Sequence, residues 1–162
     1  MKNYKIVVFG KGEAGKSTFI STVIPDAMNI EHKGRTVAMD FGKTVVGDCA
    51  YHLYGTPGQA RFEVVRDVLS ARAHSVLVIF DSSTGICRED QGILDEVAAL
   101  AVPFWAVLNN KAGLPRKTLI HEVNEVCRAH PGFAGLHEGD VRSRDFAHSV
   151  LNSLRTLSES RA

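Results

Sequence analysis

Gly10-Lys11-Gly12-Glu13-Ala14-Gly15-Lys16-Ser17 constrains this chain more than any other segment. It fills GxxxxGKS at every fixed position, directly after the apolar run Ile6-Val7-Val8-Phe9. That run is short, β-branched and aromatic, as expected for a strand buried on both faces. Lys16 to Ile24 reads as a helix that Pro25 ends. Strand, Gly-rich turn and helix in this order make a phosphate-binding loop. Glycines let the backbone wrap an anion without Cβ clashes. Successive N–H groups and the helix N-terminus then point at it. An ordinary Gly-rich turn explains less, because motif and context coincide. Gly10, Gly12, Glu13, Ala14, Gly15, Lys16, Ser17 and Thr18 are therefore the expected binding set. Lys16 carries charge to β- and γ-phosphates, and Ser17 offers a hydroxyl to Mg²⁺. Lys11 and Glu13 fill variable positions, where either reads simply as solvated. Glu13 is the less comfortable, since a carboxylate near phosphates is repelled unless a cation sits beside it.

The rest of the chain alternates. Residues 26–35 look polar and irregular. Val37 to Val46 and Cys49 to Tyr54 read as strands, and Gly47-Asp48 between them makes an antiparallel hairpin. Phe62, Val65, Val68 and Leu69 follow helical spacing, Ser75 to Phe80 is a second buried strand, and Ile93 to Ala101 is amphipathic. Val102 to Leu108 is a third buried strand, Leu119 to Cys127 a helix, Phe133 to His137 a weak strand and Phe146 to Leu157 a closing helix. Buried strands alternating with helices predict an α/β fold in three layers. It has a mostly parallel six-stranded sheet, one antiparallel edge strand from the hairpin, and helices on both faces. At 162 residues a single domain spanning 1–162 is expected.

Composition excludes several classes. Nineteen Lys and Arg against eighteen Asp and Glu give a net charge of +1, which removes the electrostatic case for nonspecific nucleic-acid binding. No polybasic tail, signal peptide, lipidation motif or long apolar run is present, so a cytoplasmic location with no direct membrane anchor is expected. Cys49, Cys87 and Cys127 are odd in number and widely spaced, which suggests reduced thiols and neither a zinc site nor a disulfide framework. The seven histidines form no ligand pair and read as surface or strand-face residues. Trp105 in a buried strand reads as core.

Two further segments carry a family resemblance. Thr36-Val37-Ala38-Met39-Asp40-Phe41-Gly42 looks like the Rab-type TIGVDF segment. Tyr54-Gly55-Thr56-Pro57-Gly58-Gln59-Ala60-Arg61-Phe62 looks like WDTAGQERF. With the phosphate loop they resemble the small Ras-like GTPases, in order and over nearly the whole chain. The TPGQ form is similar to bacterial members, namely the Rab-like proteins near roadblock-type regulators and the gliding-motility polarity GTPases. The resemblance implies the P-loop NTPase fold and a GTP/GDP molecular switch that hydrolyses GTP slowly with Mg²⁺. It implies Thr36 as a Mg²⁺ ligand beside Ser17, Gly58 as a γ-phosphate N–H donor and Gln59 as the residue that orients the attacking water. A GTPase-activating or effector partner, of roadblock type, is implied as well. Taken alone, Gln59 would read as an exposed turn residue and Thr36 as a strand residue.

Three departures bear on this. Gly55 stands where the family has the switch II Asp that holds a water on Mg²⁺; Asp40 and Asp81 are both candidates for another carboxylate. Asn110-Lys111-Ala112-Gly113 falls at the NKxD position with its Asp replaced by Gly113, and a lost charged contact of that kind costs about 1.5–3 kcal/mol. Glu138-Gly139-Asp140-Val141-Arg142 falls at the ETSAK loop, where Val141 would give a backbone N–H to the base and Asp140 would reach the base edge in place of the missing Asp. Finally, Glu13 resembles the Gα loop, where a Glu pairs with a switch arginine. Arg35 is the nearest candidate for such a finger and Lys33 the second, although either also reads as a solvated loop residue. Two alternatives stay open: a nucleotide-binding interaction module with little hydrolysis or relaxed guanine/adenine choice, and an ATP-using P-loop enzyme. The latter lacks an Arg-rich lid.

Overall fold

Period-two alternation in the apolar strands sorts side chains onto two faces, and each face finds its own helices. In the computed structural model, which describes residues 1–32, 35–56, 73–111 and 117–160, strand β1 spans Lys2–Gly10. Ile6 and Val8 point into one core cluster, and Val7 and Phe9 into the other. Strand β5 (Ser75–Asp81) divides likewise, Leu77 and Ile79 to the first and Val76, Val78 and Phe80 to the second. So does β6 (Phe104–Asn109), with Val107 opposite Phe104, Ala106 and Leu108.

Helix α1 (Lys16–Val23) covers the first face with Phe19, Ile20 and Val23. It shares that face with α4 (Arg144–Ser160), whose Ala147, Val150, Leu151 and Leu154 recur at helical spacing. The second face is covered by α2 (Arg88–Ala99) through Leu94 and Val97, and by α3 (Lys117–Arg128) through Leu119, Val123 and Cys127. Full burial of a Val, Leu, Ile or Phe side chain in either cluster contributes about 1.5–3 kcal/mol of transfer free energy. The helix expected from Phe62 onward lies outside the described residues.

The sheet runs in the order β2-β3-β4-β1-β5-β6-β7, with β2 at Met28–His32, β3 at Arg35–Val46, β4 at Cys49–Gly55 and β7 at Phe133–Gly139. β1 pairs in parallel with both β4 and β5, β6 pairs in parallel with β5 and β7, and β3 pairs antiparallel with β4 as the hairpin predicted. The expected parallel core and hairpin are present. The sheet also has a seventh strand. Residues 26–35 were expected to be irregular, yet Met28–His32 pairs antiparallel with β3, with register shifts on both sides of Ile30. An edge strand needs only backbone hydrogen bonds on one side, so its polar, weakly alternating sequence hid it.

Candidate functional site

β1 is where the strand order reverses: the strands up to β4 lie on one side of it in the sheet and those from β5 on the other. In open α/β sheets ligands bind in the crevice beyond the carboxyl ends of the strands at such a point. A cavity of about 500 Å³ opens there. The loop after β1 lines it with Glu13 and Gly15, α1 with Lys16, Ser17 and Thr18, the segment after β6 with Asn109 and Lys111, and the loop after β7 with Asp140, Val141 and Arg142.

The phosphate loop is held from below. Gly10 is packed so tightly that a Cβ would lie 2.9 Å from the Ile79 carbonyl oxygen of β5. Gly15 adopts φ 117°, left-handed backbone that favours glycine, and a Cβ there would lie 2.5 Å from the Asn109 amide nitrogen. Ala14 is fully buried, and Gly12 is exposed. Lys16 Nζ donates to the Gly10 carbonyl at 2.5 Å. Burial lowers its pKa, with Glu89 and Asp40 opposing. An anion in the loop would relieve that desolvation and draw the ammonium off the carbonyl.

Lys11 corrects an expectation. It is not solvated but 7% exposed, donating to the Thr84 hydroxyl and to Cys87 Sγ at 3.5 Å and ion-paired with Asp90 at 3.5 Å. Burial by itself would lower its pKa; Asp90 and Cys87 outweigh that and raise it. Asp90 also accepts the Cys87 N–H at 2.9 Å, an acidic third residue closing the start of α2. Glu13 remains exposed, at φ 64°.

The two asparagines divide their work differently from the sequence expectation. Asn109, 3% exposed, donates its amide to the Ala14 carbonyl at 3.0 Å and accepts the Val141 N–H at 3.3 Å. It ties the phosphate loop to the loop after β7. Asn110, the asparagine at the NKxD position, instead reaches Glu138 at 3.2 Å. Two consecutive asparagines gave a signal in the sequence, but only the pairing of Asn109 with Asp81 and Gly139 at the strand ends decides which one turns inward. Lys111 donates to the Glu13 carbonyl and to Asp81 at 3.1 Å. Burial would raise the Asp81 pKa, but the Ser83 hydroxyl and N–H and Lys111 hold it below the usual carboxylate range.

The loop after β7 departs from expectation in the same way. The Val141 N–H expected to face the base is taken by Asn109. Asp140 lines the cavity, but its oxygens accept the Arg142 N–H at 2.9 Å, Nε at 3.0 and 3.2 Å and Nη2 at 2.8 Å, and Arg142 holds its carboxyl below the usual range. Three N–H groups of Arg142 thus engage the carboxylate, Nε being shared between its two oxygens.

Of the two carboxylates considered near Ser17, the structure places Asp40 there. Ser17 Oγ donates to Asp40 Oδ2 at 2.6 Å, whereas Asp81 is engaged by Ser83 and Lys111. A hydroxyl and a carboxylate are hard oxygen donors and suit Mg²⁺, which typically takes one or two protein oxygens and completes its shell with phosphates and water. No three His, Cys, Asp or Glu side chains gather as a metal cluster among the described residues. Thr36 and Arg35 lie in β3, paired with Glu31 and His32. Their expected side-chain roles, and Gln59, Gly58, Gly113 and Lys33 altogether, lie outside the described residues.

Cys49, Cys87 and Cys127 are free thiols. Trp105 is half-buried against the first core cluster and stacks near His137 at 4.8 Å between ring centres. No described helix is long and apolar enough to cross a membrane.

Residues 5–102 match the family described as Ras of Complex, Roc, domain of DAPkinase. The chain is 35% identical over 105 residues to the uncharacterized protein MJ1339 of Methanocaldococcus jannaschii, covering 65% of this chain and 68% of that protein. It is 26% identical over 113 residues to the GTP-binding nuclear protein GSP1 of Encephalitozoon cuniculi, covering 67% of this chain and half of that one. The Arl6 BBS3 small GTPase of Trypanosoma brucei, solved with a bound nucleotide analogue, shares the fold with a TM-score of 0.69 at 18% identity, over 99% of this chain and all of that one. The chain belongs to the Ras of Complex (Roc) family of Ras-like small-GTPase domains.

Proposed function

We propose that this chain is a GTP/GDP molecular switch that hydrolyses GTP slowly. The observation that carries this is one cavity, at the reversal point of the sheet, lined by the phosphate-loop residues Gly15 to Thr18 together with Asn109, Lys111 and the loop after β7. Phosphates would lie on the N–H groups of the loop and α1, with Lys16 leaving the Gly10 carbonyl for their oxygens. Ser17 and Thr36 would hold Mg²⁺, which, when bound, neutralises charge on the β- and γ-oxygens. Gln59 would orient water for in-line attack on the γ-phosphorus, and Gly58 and Thr36 would sense the γ-phosphate and change order when it leaves. Arg35 would supply positive charge to the transition state. Intrinsic turnover in such switches is on the order of 10⁻⁴ s⁻¹, so an activating partner belongs to the reading. The TPGQ segment supports the bacterial Rab-like or polarity-GTPase type and, with it, a roadblock-type partner.

A second reading, relaxed choice between guanine and adenine, has its own support. The Val141 N–H and the Asp140 carboxylate are both occupied within the protein, and Gly113 brings no carboxylate. Asp140 reads the base only by exchanging Arg142 for it. Equilibrium binding of fluorescent GDP with Mg²⁺, competed by GTP, GDP, ATP and CTP, tests both. Displacement by guanine nucleotides alone supports the switch with base selectivity. Equal displacement by ATP supports the relaxed reading. No binding of any nucleotide overturns the proposal.

A further inference from the structure

Gly55 ends β4 without the carboxylate that this class of site places there, and the residue across the ladder stands in a position to make up the loss. β3 and β4 pair Met39 with Gly55 and Phe41 with Tyr54, so Asp40 is the extra residue of a bulge directly beside Gly55. Asp40 has φ 58°, left-handed backbone that non-glycine residues seldom adopt, with Asp among the more tolerant. The bulge and this conformation bring its carboxylate to the phosphate loop. Ser17 Oγ donates to it at 2.6 Å. A serine hydroxyl that gives its proton to a carboxylate keeps its lone pairs for a cation, and the same carboxylate can accept a proton from a water on that cation.

We infer that Asp40 is the metal-site carboxylate of this protein, supplied by β3 in place of the one missing at Gly55. This rests on the nucleotide-binding reading above. Its consequence is a change of wiring. The carboxylate that steadies the divalent cation belongs to the strand that carries Thr36, so metal and first switch segment respond as one unit. The segment after Gly55 is left without a metal contact of its own at that position.

The probe is Mn²⁺, read by electron paramagnetic resonance on the GDP-bound protein, with the release rate of fluorescent GDP measured against Mg²⁺ concentration. Loss of an outer carboxylate partner typically weakens metal binding about 10- to 100-fold. Asp40→Asn is therefore expected to weaken Mn²⁺ binding at least about tenfold and to raise by a similar factor the Mg²⁺ concentration needed to slow GDP release, while GDP binding in EDTA stays within about twofold. Gly55→Asp in the Asp40→Asn background is expected to restore Mn²⁺ affinity. Gly55→Asp in the otherwise native chain, which leaves Asp40 in place, is expected to change it less than about threefold, because the carboxylate place is filled. Unchanged Mn²⁺ affinity in Asp40→Asn, or a tenfold gain from Gly55→Asp alone, overturns the inference. Absence of GDP binding by the native protein in the presence of Mg²⁺ overturns the nucleotide reading instead, so the two failures are distinguishable.

Discussion

Asn109→Ala is the sharpest perturbation of this fold at its site. The native side chain satisfies two buried backbone groups, the carbonyl of Ala14 and the N–H of Val141, and both residues are at most 1% exposed. Leaving a buried polar group without a partner costs about 1–3 kcal/mol. Two such groups set a range of about 2–6 kcal/mol, and the lower half applies here, because Asn109 lines the cavity and water can enter from that side. The expected loss is about 3 kcal/mol, which for a chain of this size lowers Tm by about 6–12 °C. Asn109→Asp is expected to be at least as damaging, since it can still accept from Val141 but sets a carboxylate against the Ala14 carbonyl. Asn110→Ala is expected to cost under about 1 kcal/mol, because its bond to Glu138 is exposed. Urea denaturation of the three variants gives the stabilities, and fluorescent GDP titration gives the affinity. The latter is expected to fall at least about tenfold in Asn109→Ala, about 1.4 kcal/mol, as two loops of the cavity lose their tie. Stability within about 1 kcal/mol of native, or equal damage from Asn110→Ala, refutes the assignment of the inward asparagine.

Three other outcomes are expected. Lys11→Met and Asp90→Asn each leave a charge buried without its ion-pair partner and are expected to cost about 3–5 kcal/mol, while the double variant costs clearly less than the sum; additive losses in a double-mutant cycle would show that the pair at 3.5 Å is not coupled. Burial lowers the His137 pKa, so the unfolded chain binds its proton first, and stability is expected to fall as pH drops below about 6.5, the unfolded value. Replacing His137 with Phe should flatten that slope in urea midpoints measured from pH 7.5 to 5. Cys127 is fully buried with its thiol pushed up to about 12. Iodoacetamide at pH 8 is therefore expected to leave it unlabelled in the native protein and to label it in urea, as mass spectrometry of tryptic peptides would read.

The sequence by itself determined the order of elements and the nature of the loop after β1. Apolar runs such as Ile6 to Phe9 and Ser75 to Phe80, short and β-branched, read as strands covered on both faces, and GxxxxGKS fixes loop and helix through steric and electrostatic requirements that are local. Gly47-Asp48 fixed the hairpin for the same reason, since turn chemistry is decided within a few residues. What depends on partners distant in the chain was settled by tertiary structure alone. Met28–His32 became a strand because the edge of β3 was open to it. Lys11, at a variable position of the loop, was buried by α2, 79 residues away at Asp90. Asn109 rather than Asn110 turned inward because strand register gives consecutive residues opposite faces. Asp40 reached Ser17 because a bulge in β3 set it beside Gly55. Each of these choices turns on register or on contacts across the sheet, and neither is written in the local pattern of the chain.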